Sequence, residues 1–272
     1  MPSSQECYTA DGVWCADNFM REMNSKLEVG YWKGALSLSE EYGALDCQVI
    51  MRPDEDVVKV AKHYQAISDE DLLVISTDGS VHSQSRRGGW AVIQSGEGDK
   101  HFYFASGSMT KADRPSWATK ASTAGDEVQS LEMELRALAG GFAEAAKIVV
   151  QRRANGQSTW KTIVALCDSP DALSKLGEYQ LKTGQRRVYD YCNISILLSV
   201  ATLRAYGVRC VFDRTKGHSG VSSNLAADML ARAQSGCSKW SRAMLWRAAS
   251  GTSIEGLPDS QVAAAALGGT EL

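Results

Sequence analysis

The chain has 272 residues, 44% of them hydrophobic and 22% charged, with a net charge of −3, enough for one full domain with a sizeable core and a smaller appendage. No apolar run approaches the roughly 20 residues that cross a bilayer, and the first twenty residues show neither the basic start nor the apolar segment of a secretory signal; no membrane role is expected, and the protein is read as intracellular, in nucleus or cytoplasm. Residues 1–70 hold 6 Lys and Arg against 13 Asp and Glu, a balance of −7, and residues 71–272 hold 23 against 19, a balance of +4, so contact with a polyanion is expected after residue 70.

Residues 1–68 contain short amphipathic stretches, such as Phe19 to Leu27 and Val57 to Ile67, with no recurring motif. They are taken as a small acidic N-terminal extension of unassigned role. The apolar run Leu72-Leu73-Val74-Ile75 then stops at Thr77-Asp78-Gly79-Ser80, the pattern of a buried strand ending at a turn. Gly89 to Ile93 and His101 to Ala105 read as two more strands joined by a polar, glycine-containing link, giving an antiparallel meander of three. From Gln129 to Lys147, Leu131, Leu135, Leu138 and Phe142 recur at helical spacing. Thr162 to Cys167 is again a buried strand, and it stops at Asp168. A helix over Asp190 to Tyr206, a strand over Val208 to Phe212 and a helix over Ser222 to Ala233, capped by serines, complete the pattern. Residues 237–272 end in an Ala- and Gly-rich stretch with little to bury, expected as a mobile tail. The order β-β-β-α-β-α-α-β-α implies a five-stranded mixed α/β sheet, three strands antiparallel and two parallel, with helices on both faces.

Cys7, Cys15, Cys47, Cys167, Cys192, Cys210 and Cys237 are scattered, without a C-x-x-C pair or a His in zinc-site spacing, and read as reduced thiols. The acidic residues are more telling. Asp78 and Asp168 each follow an apolar strand, where open α/β sheets place their ligand crevice, although singly each is also an ordinary turn former. Glu134 lies between Leu131 and Leu138, at the margin of the face that packs on the sheet, where a carboxylate is costly unless paired or bound to metal; Glu132 is expected to face solvent. Asp228 and Asn224 share a face of the last helix, and His218 lies ten residues upstream of Asp228 in the loop KGHSGVSSN.

Together these segments, VISTDGS with Asp78, LEMELRAL with Glu134, IVALCDS with Asp168 and KGHSGVSSNLAADMLARA with His218, Asn224 and Asp228, resemble the ribonuclease H family in order, spacing and element type. The last segment looks most like the ribonuclease H domains of non-LTR retrotransposons, and the resemblance runs from about residue 70 to residue 236. It implies a ribonuclease H-like fold over 69–236 and an enzyme that cleaves the RNA strand of an RNA–DNA hybrid. It further implies a site in which Asp78, Glu134, Asp168 and Asp228 hold two Mg²⁺ or Mn²⁺ ions, hard cations suited to oxygen ligands, flanking the scissile phosphate. His218 would assist as a proton shuttle or in product release, the products would carry 5′-phosphate and 3′-hydroxyl ends, and Gly79, Ser80 and Asn224 would meet 2′-hydroxyls in the minor groove.

The sequence departs from the family at Arg214-Thr215, where relatives often carry Trp, and at Ser223-Asn224-Leu225, without loss of an implied metal ligand. Lys182, Arg186 and Arg187 form only a modest basic cluster, so weak intrinsic affinity is expected, with a reverse-transcriptase domain or other partner supplying the rest. Arg86 and Arg87 read as an exposed basic turn. A non-cutting nucleic-acid-binding module on the same fold remains the alternative; four carboxylates that repel one another are costly to keep without metal. A proofreading-type exonuclease would carry Glu where this chain has Ser80, and a transposase would carry a helical Glu in place of Asp228. The absence of a reverse-transcriptase palm motif leaves a detached retroelement segment or a free-standing cellular enzyme, and the acidic first 70 residues tilt towards the former.

Overall fold

The unbroken apolar character of Leu72 to Ile75 is that of a strand covered on both sides, and this strand lies inside the sheet. The computed structural model describes residues 47–66, 70–96, 100–115, 127–177, 189–217 and 220–236. In chain order they form β1 (Gln48–Ile50), α1 (Asp54–Ala66), β2 (Leu72–Val81), β3 (Gly88–Ser95), β4 (His101–Met109), a 3-10 turn (Lys111–Asp113), α2 (Ser130–Ala154), β5 (Thr162–Cys167), α3 (Pro170–Gly177), α4 (Asp190–Ala205), β6 (Arg209–Arg214) and α5 (Ser222–Ser235). The strands make one mixed α/β sheet in the order β1-β6-β5-β2-β3-β4. β2, β3 and β4 are the expected antiparallel meander, and β5 and β6 run parallel to β2.

The sheet therefore has six strands, not the expected five. The added one, β1, comes from the segment read as an extension and pairs parallel with β6, Gln48 opposite Val211 and Ile50 opposite Asp213. A three-residue strand shows no alternation, and its partner lies far along the chain, so nothing local marks it. α2 runs on past Lys147 to Ala154 because Val149 and Val150 are buried in turn. α5 is not capped by serine side chains: Val221 occupies the N-cap, and Ser222 and Ser223 lie inside the first turn. The Ser223 hydroxyl is spent elsewhere, 2.6 Å from that of Ser76 on β2, which pins the start of α5 to the sheet.

Alternate residues of the strands feed opposite layers. Leu73, Ile75, Ile163, Ala165 and Phe212 join the core beneath α2 and α4, where Phe142 and Phe212 pack with ring centroids 4.5 Å apart. Val74, Val164, Leu166 and Val211 face the other way, with Ala61 of α1 and Val221, and α5 lays Ala226, Ala227, Leu230 and Ala231 on Ala91 and Ile93. Each fully buried Leu, Ile or Phe contributes about 1.5–3 kcal/mol, so the central strands that carry the carboxylates rest on a well-packed layer. None of the four cysteines among the described residues is in a disulfide, and among those residues no helix is long and apolar enough to cross a membrane. The expected tail at 237–272 and residues 1–46 lie outside the described residues.

Candidate metal centre

The register of the two central parallel strands builds the first half of the site. Thr77 is opposite Cys167, so the next residue of each strand, Asp78 and Asp168, emerge side by side across a spacing of about 4.7–4.9 Å. Glu134 arrives from the first turns of α2, which crosses β2 closely because residue 79 has no side chain. A Cβ on Gly79 would overlap the carbonyl carbon of Met133 and the amide nitrogen of Glu134. We expect Gly79→Ala to force strand and helix apart, costing about 3 kcal/mol and separating Asp78 from Glu134; urea unfolding of the variant checks the first effect and divalent-ion binding the second.

One carboxylate oxygen from each of Asp78, Glu134 and Asp168 lies within 4.8 Å of the other two. Asp78 and Glu134 are 6% and 8% exposed, yet Asp78 Oδ2 and Glu134 Oε2 have no hydrogen-bond partner. Buried carboxylate oxygens are costly in that state, and a divalent cation is the partner their chemistry suits. Burial raises the Asp78 carboxyl well above the usual range, with Asp168 and then Asp228 adding to it. Burial does the same to Glu134, helped by Asp78 and Asp168. Beneath them burial pushes the Cys167 thiol up as well.

The sign of the resulting pH dependence follows. Both carboxyls keep their protons in the folded, metal-free chain at pH values where the unfolded chain has released them. Their contribution to stability is fully present below the ordinary carboxylate range, about pH 4, and is lost as pH rises through the raised folded values. A cation must displace those protons, so Mn²⁺ should bind about tenfold or more tightly at pH 8 than at pH 5.5. Calorimetry in two buffers of different ionisation enthalpy should show net proton release; equal affinity at both pH values would contradict this.

Asp228 stands outside the group of three. It accepts a hydrogen bond from Arg232, one helical turn on, at 2.7 Å, although its charge still reaches Asp78. Asn224, expected to meet substrate, is 2% exposed and donates its side-chain amide to Asp168 Oδ2 at 3.1 Å. Ser80 is partly exposed beside Asp78. Gly217 abuts the same carboxylate, since a Cβ there would lie 2.7 Å from Asp168 Oδ2; a glycine just before the His of the KGH loop was the sequence signal for that contact. His218 itself, with Lys182, Arg186 and Arg187, lies outside the described residues. In the β2–β3 turn, Arg86 pairs with Glu127 at 3.2 Å and Arg87 donates to Ser108 at 2.7 Å.

Glu132 does not face solvent. It is wholly buried and receives hydrogen bonds from Arg114 Nε at 2.8 Å and from the Tyr191 hydroxyl at 3.0 Å. Its partners come from two other elements, so helical spacing alone could not show that a charge was awaiting it.

No protein-family model and no curated protein matches this sequence. Solved structures similar to it include the N-terminal RNase H domain of a Mycobacterium tuberculosis protein, as a fusion with maltose-binding protein, at 13% identity over 61% of this chain and 94% of that one, with a TM-score of 0.37. An RNase H from the halophilic archaeon Halobacterium salinarum matches at 14% identity over 61% and 99%, with a TM-score of 0.33. A foamy viral protease–reverse transcriptase in complex with RNA/DNA hybrid matches at 17% identity over 70% of this chain and 21% of that one, with a TM-score of 0.37. These likenesses are loose, and the carboxylate geometry stands independently of them.

Proposed function

We propose that this chain is a metal-dependent endonuclease of the ribonuclease H type that hydrolyses the RNA strand of an RNA–DNA hybrid. The observation that carries this reading is the convergence of Asp78, Glu134 and Asp168 over the two central strands of the sheet, with two buried carboxylate oxygens lacking partners. Asp78, Glu134, Asp168 and Asp228 would hold the divalent ions, two Mg²⁺ or Mn²⁺. When bound, such ions neutralise charge at the scissile phosphate and acidify water.

The chain's own groups do the positioning. Asn224 fixes the Asp168 carboxylate through its amide and is assigned here to that carboxylate in place of the minor groove. Ser80, partly exposed next to Asp78, offers a hydroxyl to a ribose 2′-hydroxyl, and the bare backbone at Gly79 leaves room for the strand to approach. We assign His218, directly after Gly217 in the sequence, the role of handing a proton to the departing 3′ oxygen or assisting product release. Water attacks phosphorus, the P–O3′ bond breaks, and the products carry 5′-phosphate and 3′-hydroxyl ends.

The test reads the ends of the products. With hybrid labelled on one strand at a time, only RNA should be shortened, and its fragments should be extendable by a polymerase from free 3′-hydroxyls. Fragments ending in 2′,3′-cyclic phosphate, the mark of attack by the neighbouring 2′-hydroxyl, would refute this mechanism.

A further inference from the structure

We propose that Arg52, in the connection between β1 and α1, and Asp54, the first residue of α1, are positioning residues for the carboxylate site, so that the N-terminal strand and helix belong to the working unit. The proposal rests on the reading that Asp78, Glu134 and Asp168 hold a divalent ion, but not on which strand is cut.

A continuous series of contacts leads from one to the other. β1 ends level with β6, Ile50 opposite Asp213, and the chain then turns so that Arg52 grips Asp213 with two groups, Nε at 2.9 Å from Oδ1 and Nη2 at 2.8 Å from Oδ2. Asp213 is wholly buried, so this two-pronged guanidinium is what makes a charge tolerable there. The next residue grips back: Arg214 Nη1 donates to the Arg52 carbonyl at 2.9 Å, and Arg214 Nη2 pairs with Asp54. Lys216 Nζ reaches the same Asp54 at 3.7 Å.

The other flank of this stretch faces the site. Thr215 donates its amide to the Cys167 carbonyl at 2.9 Å, one residue before Asp168. Gly217 then passes so close to Asp168 Oδ2 that a Cβ would lie 2.7 Å from it. Residues 213–217 are thus held between β1–α1 and the Asp168 carboxylate, with Arg52 and Asp54 supplying ion pairs on their outer side. A segment released on that side no longer holds the wall against which Asp168 is oriented. Groups that orient a ligand set typically alter metal affinity by about 10–100-fold.

The experiment measures Mn²⁺ binding to the full chain from the loss of the free-ion paramagnetic resonance signal. The double substitution Arg52→Gln with Asp213→Asn removes both charges together and leaves no buried ion unpaired. It should keep its circular dichroism spectrum and bind Mn²⁺ about tenfold more weakly. Cleavage should then need correspondingly more metal for half-saturation while the rate at saturating metal changes little. Asp54→Asn, at an exposed position, should weaken binding about threefold. Lys161→Gln, which breaks an exposed pair with Asp71, should change nothing. Unaltered affinity in the folded double variant overturns the proposal, and should that variant fail to fold, unaltered affinity in Asp54→Asn does so. An unsubstituted protein that takes up Mn²⁺ through Asp78 but cuts no hybrid refutes the nuclease reading alone; one without Asp78-dependent uptake refutes both.

Discussion

Asp78→Asn is expected to lower hybrid cleavage about 10³-fold, equivalent to about 4 kcal/mol of transition-state stabilisation, while making the metal-free protein more stable. The two effects have one cause. Burial, then Asp168 and Asp228, press on the Asp78 carboxylate, and at pH 8 the folded chain without metal must either bear that charge or hold a proton against the solvent. An amide of the same shape removes the repulsion, at the cost of a ligand. We expect a gain of about 1–2 kcal/mol in urea unfolding at pH 8 in EDTA, shrinking towards pH 4, where the carboxyl is protonated in both states. In saturating Mg²⁺ the order should reverse, because only the unsubstituted protein gains the binding energy of the ion. A variant that lost activity and metal-free stability together would show that Asp78 is a structural carboxylate.

Arg114→Met should be strongly destabilising, by about 3–5 kcal/mol. The side chains of Arg114 and Glu132 are 1% and 0% exposed, and Arg114 also donates to the Glu127 carbonyl at 2.8 Å. Removing the guanidinium leaves Glu132 with the Tyr191 hydroxyl and the Gln129 amide but without its ion-pair partner. The pair ties the residue just after the 3-10 turn to the first turn of α2, and Glu134 stands two residues beyond it. Replacing both partners, Arg114→Met with Glu132→Leu, should restore most of the loss, since an apolar pair of similar volume has no charge to desolvate. A double-mutant cycle in urea measures this, and purely additive losses would argue against the pairing.

The legible parts of this protein were those whose cause is local. β2 and β5 announce themselves as apolar runs because both faces are covered; β5 does stop before Asp168, whereas β2 runs on through Asp78, Gly79 and Ser80 to Val81, paired with β3, where a turn was expected. The leucines of α2 repeat at helical spacing, which placed Glu134 correctly at the sheet-facing margin. Partnerships across the chain left no such trace. β1 is three residues whose partners in β6 lie 163 positions further on, Gln48 opposite Val211, and Glu132 looked solvent-facing because nothing in its own helix reveals Arg114. Ser223 looked like a cap because Ser is a good one, whereas its hydroxyl meets Ser76. Asn224 lies where the motif put it, yet its amide points to Asp168, a direction that only the packed sheet could set.

The most direct test of the central claim is the fate of a 5′-labelled RNA annealed to DNA, incubated with the intact protein in Mg²⁺ and in EDTA, beside the same RNA single-stranded and paired with RNA. The account predicts shortening of the hybrid RNA in Mg²⁺ alone, with the other two substrates intact. No cutting in either Mg²⁺ or Mn²⁺, or cutting that persists in EDTA, would contradict it.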